Sequence, residues 1–178
     1  PALGDYWPVS RGSQVAGVWT SPPPGAGLAS YPGDDNVRGV LTHNRRTQLP
    51  AITDGLSNTL MLGECGARNA GWSGGKQYAA TEGGVNGSWG AETNITCSGT
   101  RGPITPGVQP VAKVSSGAQV PTSVAVNGWN NTELYSFHSG ICNVAMGDGS
   151  VRSLKSSISL GTLQKLAARA DGSPNDPE

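Results

Sequence analysis

The chain has 178 residues, the length of one ordinary domain, and its 12 Lys and Arg balance 12 Asp and Glu, so no net field draws it to nucleic acid or to an anionic membrane. Charged residues make up 13%, about half the ~25% usual for a soluble domain, while Gly (27) and Pro (13) are abundant. That balance predicts a β-rich, loop-rich, exported protein.

Residues 1–36 carry "WPVS", "SPPPG" and "YPGDDN", which predict mostly loop with short extended pieces around "QVAGVW". Because the sequence starts at Pro1, we expect the native N-terminus, and any export signal, to lie ahead of it. No apolar run approaches the ~18 residues that span a bilayer, so this portion is expected to be soluble by itself. From 37 to 64, "VRGVL" predicts a short strand, Leu49 to Ile52 one helical turn, and "TLMLGE" a strand. Between them "ITDGLSNT" reads as a turn at Asp54-Gly55, with Ser57 and Asn58 bonding their own backbone.

Residues 66–128, rich in Gly and small polar residues, read as an elaborated loop region with two or three short strands near "QYAAT" and "SVAVNG". Asn-x-Ser/Thr patterns at Asn86, Asn94 and Asn130 fit surface loops. Further on, "ELYSF", "NVAM" and "VRSL" predict strands, with Asp148-Gly149 supplying a tight hairpin and so a β-meander. Leu160, Leu163, Leu166 or Ala167, and Ala170 then share one helical stripe, capped by Ser159 and ended by Gly172. Residues 1–172 are thus expected to form a single domain and 173–178 a frayed tail.

Several patterns suggest chemistry. "GWSGG" around Ser73 matches a nucleophile elbow, with Glu82, Glu92, Glu133 and His138 downstream, but no helical periodicity follows the serine, as that device requires. "SGGKQ" lacks the first glycine of a phosphate loop and has Gln77 where Ser or Thr would reach magnesium. Asp148, with Asp54 or Asn58 and backbone carbonyls, would suit calcium; the reading we favour is that both aspartates serve turns. His138, before Ser139-Gly140, reads in the same way as a residue that holds a turn rather than a metal or a ligand. Trp72 and Trp89, in Gly-rich surroundings, would offer an aromatic platform to a sugar ring, against the favoured alternative of anchoring loops. Cys65, Cys97 and Cys142 permit one internal disulfide and leave one thiol over.

The stretches "ITDGLSNTLMLGE" (52–64) and "YSFHSGICNVAMGDGSVRSLKSSI" (135–158), followed by "LAARADG", resemble the prepilin-like proteins abundant in planctomycete-type bacteria. Their C-terminal signature is His, nine residues, Asp-Gly, here His138, residues 139–147, Asp148 and Gly149. The resemblance implies a leader processed by a prepilin peptidase, a long apolar helix, and a head built on antiparallel strands. That helix is not in this sequence, so membrane contact would come only through it, and the sheet should carry an apolar strip where it packs. Some members are labelled solute-binding. This chain has Ser139-Gly140-Ile141 where the family usually has Pro-Gly or Gly-Gly after the histidine. It also has no cysteine in "VNGWNNTE", where some relatives carry one, which leaves Cys142 unpaired and favours a Cys65 to Cys97 bridge.

The expected fold is α+β and pilin-like: an antiparallel sheet of "TLMLGE", "ELYSF", "NVAM" and "VRSL", one C-terminal helix packed on it, and long loops. The expected role is structural, an envelope-anchored or filament-forming pseudopilin-like subunit exposing its head outside the membrane. It would assemble with itself or with other pilin-like subunits, with no catalytic group and no cofactor. His138, Asp148, Gly149, Asp54, Gly55 and Asn58 would fix turns. The alternative is an extracellular glycan- or solute-binding module using Trp72 and Trp89, with calcium at Asp148 and Asp54 ordering its loops.

Overall fold

The computed structural model describes residues 5–12, 38–41, 46–81, 95–110, 123–170 and 172. Nine strands and one α-helix lie among them: β1 (Tyr6–Gly12), β2 (Leu60–Glu64), β3 (Gly71–Ser73), β4 (Lys76–Ala79), β5 (Ile95–Cys97), β6 (Thr100–Arg101), β7 (Ser123–Val124), β8 (Ile141–Met146), β9 (Val151–Lys155) and α1 (Leu160–Ala167). Mostly sheet with a single helix, the described chain is α+β. The main sheet runs β5-β1-β2-β8-β9; β3-β4 and β6-β7 form two small ribbons.

This sheet differs from the expected one at both ends. β1 falls in a segment expected to be mostly loop, because Pro8 argues against a strand interior. The residue is tolerated because pairing changes sides there: Tyr6, Trp7 and Pro8 pair antiparallel with β2, whereas Val9 onward pairs with β5. The β5-β1 pairing is parallel, so the sheet is mixed. "ELYSF", expected as a strand of the sheet, makes only isolated bridges, Val126 with Leu134 and Cys65 with Tyr135. It crosses the core face instead: a Cβ on Gly63 would lie 2.3 Å from Leu134 Cδ2, so the absent side chain is what admits Leu134. "VRGVL" likewise has only a bridge at Arg38 among its described residues, and "QVAGVW" lies outside them.

Alternation sorts the sheet into two faces. Val144 and Met146 of β8, Trp7 and Val9 of β1 and Leu60 of β2 bury against Leu134, Tyr135 and the helix residues Leu160, Leu163 and Ala167. Burying each such side chain stabilises the fold by about 1.5–3 kcal/mol. The opposite face carries a cross-strand row, Pro8, Leu62, Ala145 and Val151, whose members pair in sequence. The first three are half-buried and Val151 is exposed.

Helix α1 starts where its cap predicts: the Thr162 N–H donates to Ser159 Oγ at 3.0 Å. It stops earlier than Gly172, at Ala168. The reason is competition, for Arg169 N–H donates to the Arg38 carbonyl (2.9 Å) and Asp54 N–H to the Arg169 carbonyl. Leu49–Ala51, expected as a helical turn, is a 3-10 turn, as is Leu56–Asn58. Among the described residues no helix is long and apolar enough to cross a membrane.

Candidate functional site

The stretches 52–64 and 135–158 are bound into one unit. β2 and β8 pair antiparallel. At one end of that pair the Gly147 N–H donates to the Thr59 carbonyl at 2.8 Å and the Asp148 N–H to the Leu56 carbonyl at 3.2 Å. Asp148 Oδ1 accepts from the Ser150 N–H (2.9 Å), and the Ser150 hydroxyl together with this N–H holds its carboxyl below the usual range. Gly149 has φ 84, the left-handed conformation that a glycine adopts most easily. Asp54 Oδ1 accepts from Gly172 N–H at 3.1 Å, Asn58 Nδ2 donates to the Asp54 carbonyl at 3.1 Å, and Gly55, at φ 95, lets the chain turn between them. The carboxylates of Asp54 and Asp148 therefore each receive a main-chain N–H from this chain. Among the described residues no three His, Cys, Asp or Glu side chains gather as a metal-ligand set.

His138 lies at the other end of β8, before Ile141, whereas Asp148 follows Met146; an extended run of that length separates the two by roughly 20 Å. The imidazole instead approaches Glu64, the last residue of β2, with Nε2 3.5 Å from Oε1. Here β8 parts from β2, because the Glu64 carbonyl accepts from Tyr135 N–H (3.0 Å). The next N–H of β8, that of Asn143, is then taken by the Glu64 carboxylate at 3.0 Å. Glu64 is buried, while His138 stays 55% exposed in its side chain.

Phe137 completes this corner. The residue is 55% exposed, and its ring meets Trp72 edge-on at 4.8 Å and Tyr135 at 5.6 Å. It can lie there because Gly66 has no Cβ, which would stand 3.1 Å from its Cε2. Tyr6 pairs with Glu64 across the sheet and is likewise exposed. The arrangement is an open aromatic surface beside a carboxylate–imidazole pair, able to take an apolar ring face and a polar donor together. Trp72, expected as a platform or an anchor, packs on the core with Phe137 against it; Trp89 lies outside the described residues.

Behind the corner, two buried polar side chains hold loops. Asn130 is buried, not on a surface loop as its glycosylation pattern suggests: Oδ1 accepts from Trp72 N–H (2.9 Å) and Nδ2 reaches the carbonyls of Gly66, Ala67 and Ala70 (3.3, 3.1 and 2.8 Å). Asn86 and Asn94 lie outside the described residues. Glu133 is equally buried and accepts from the N–H groups of Ser98 and Gly99, both at 3.1 Å, and from Ser98 Oγ.

The other patterns separate. Ser73 is buried, its hydroxyl donates to the Val108 carbonyl at 2.7 Å, and β3 turns through Gly74-Gly75 into β4 instead of into a helix. Gly75, of the phosphate-loop-like run, gives its N–H to Tyr135 Oη at 3.0 Å. Of the acids downstream of Ser73, Glu82 and Glu92 lie outside the described residues. Cys65, Cys97 and Cys142 are all buried and reduced, so the expected Cys65 to Cys97 bridge is not formed. Each sits in the apolar core; Cys65 Sγ faces the Asn130 carbonyl at 3.2 Å and Cys142 Sγ the Glu64 carbonyl at 3.6 Å.

A sequence profile described as a protein of unknown function (DUF1559), with the short label SBP_bac_10, matches residues 11–161. The chain belongs to this family. Its matched span includes the β2-β8 unit, the Phe137 corner and both Asp-Gly turns. No curated protein and no solved structure matches the chain. Sequence reasoning missed Glu64, Asn130 and Phe137. The one usable signal was Phe137, the only phenylalanine in the chain and the neighbour of His138.

Proposed function

We propose that this DUF1559 domain is the globular head of a structural, pseudopilin-like subunit, anchored at the cell envelope or built into a filament and exposed outside the membrane. The observation that carries the reading is that Asp54, Asn58 and Asp148 are engaged by this chain's own main chain, while His138 and Asp148 stand at opposite ends of β8. Polar side chains committed to this chain's own main chain serve a scaffold rather than a reaction. The row Pro8, Leu62, Ala145, Val151 supports the same reading, since it offers the sheet face an apolar strip on which an anchoring segment would pack. No catalytic group or cofactor is needed. The test is surface labelling and filament isolation from cells making the full-length protein. Labelled head outside the cell, in filaments or anchored to the envelope, is the expected result; protein confined to the cytoplasm or free in the medium would refute it.

A second reading, a binding module for a glycan or small solute, is favoured by Phe137, an exposed ring placed beside Glu64 and His138. Mass action on the folded state makes it measurable. A glycan or solute that raises the melting temperature of the wild type but not of Phe137→Ala would support it. The same melts with calcium and with chelator test an ion at Asp54 and Asp148.

A further inference from the structure

Among the described residues β9 ends the main sheet, and Val151, Arg152, Ser153 and Lys155 are exposed along it. The Met146 N–H donates to the Ser150 carbonyl and the Ser156 N–H to the Gly140 carbonyl, so the even-numbered residues of this arm turn their main-chain groups towards β8. By alternation, the N–H and C=O of Val151, Ser153 and Lys155 point outward from the sheet. A row of open main-chain groups is a template for another strand.

We propose that β9 pairs antiparallel with β9 of a second copy, about a two-fold axis at Ser153, joining two sheets into one. The register is chosen by charge and by parity. Centred on Ser153, the outward groups of Ser153 face those of the second copy's Ser153, and Val151 faces its Lys155, giving about six main-chain hydrogen bonds. Arg152 then faces Leu154 and Lys155 faces Val151, so no two cations are opposed, and each strand's start, near Asp148, lies beside the other's Lys155 end. Centring on Lys155 would oppose two lysines; centring on Val151 would run the partner onto the Asp148-Gly149 turn. In the Ser153 register the apolar row on the outer face, ending at Val151, meets the aliphatic stem of the second copy's Lys155 across the axis.

This names the partner of the structural subunit proposed above and rests on that reading only for its biological setting. Sedimentation velocity of the purified domain over a concentration series should show a reversible dimer. Val151→Pro removes one outward N–H at the first residue of the strand, where the β8 pairing does not use it, and should leave a monomer with near-native melting. Ser153→Cys should form an intermolecular disulfide under oxidised glutathione roughly tenfold or more faster than Lys76→Cys, an exposed control on β4, because pairing raises the local thiol concentration. Sedimentation as a monomer throughout, a Val151→Pro dimer as strong as wild type, or Ser153→Cys linking no faster than the control would each overturn the proposal. Such a failure removes this interface alone, because envelope display is read on the full-length protein in cells.

Discussion

Glu64 gives Asn143 from its side chain what its main chain has given to Tyr135: Oε2 accepts the Asn143 N–H at 3.0 Å while the Glu64 carbonyl accepts from Tyr135. One residue thus keeps β2 and β8 joined at the point where a third segment enters between them. Removing the carboxylate leaves a main-chain N–H without its partner, which costs about 1–3 kcal/mol. Urea unfolding should show a loss of that size for Glu64→Ala. His138→Ala, which removes an exposed contact, should lose under ~1 kcal/mol. Equal losses for the two would mean that the imidazole, not the β-ladder, is what Glu64 serves.

Asn130 holds four main-chain groups of the loop 66–72, including Ala67 at φ 51, a left-handed conformation unusual for alanine. Asn130→Ala strands these groups and should cost at least ~3 kcal/mol. In a glycosylating host, peptide mapping of folded protein should find Asn130 without glycan, since its amide nitrogen is buried and engaged. Substantial occupancy there in well-folded material would contradict the packing.

Gly63→Ala places a methyl carbon where Leu134 Cδ2 now stands, and Val9 and Ile95 close the same space. Overpacking of this kind costs typically ~1–3 kcal/mol. A second change, Leu134→Ala, should recover part of the loss in a double-mutant cycle. Strict additivity of the two would show that they do not meet.

Burial pushes the Cys97 and Cys142 thiols above their ordinary 9.0, with the nearby carboxylates Glu133 and Glu64 adding to it. The folded state therefore holds these protons more tightly than the unfolded state does. Their contribution to stability is complete below pH 9.0 and is lost as pH rises above it. Melting temperature should hold level up to that point and fall beyond it, and Cys142→Ala should flatten the fall. An alkaline slope unchanged in that variant would locate the effect elsewhere, with Tyr135, also raised by burial, the next group to replace.

Much of this could be read from local pattern. The alternation in "NVAM", the Asp148-Gly149 pair and the Ser159 cap each specify structure through neighbours a few residues away, and β8, β9 and α1 stand where they put them. Aspartate and glycine at a turn act on their own main chain, so the turn chemistry at Asp148 was legible without knowing what lay opposite, whereas the Asp54 carboxylate takes the N–H of the distant Gly172. The fate of "ELYSF" was not. Its composition suits a strand, but the glycine that admits Leu134 and the carboxylate that bridges the resulting gap lie some seventy residues earlier in the chain, at Gly63 and Glu64. The parallel partner of β1, the burial of Asn130 and the meeting of Phe137 with Trp72 are likewise contacts between distant segments. Sequence periodicity reports which face of a segment seeks burial; which other segment supplies that burial is decided only when the whole chain competes for the same core.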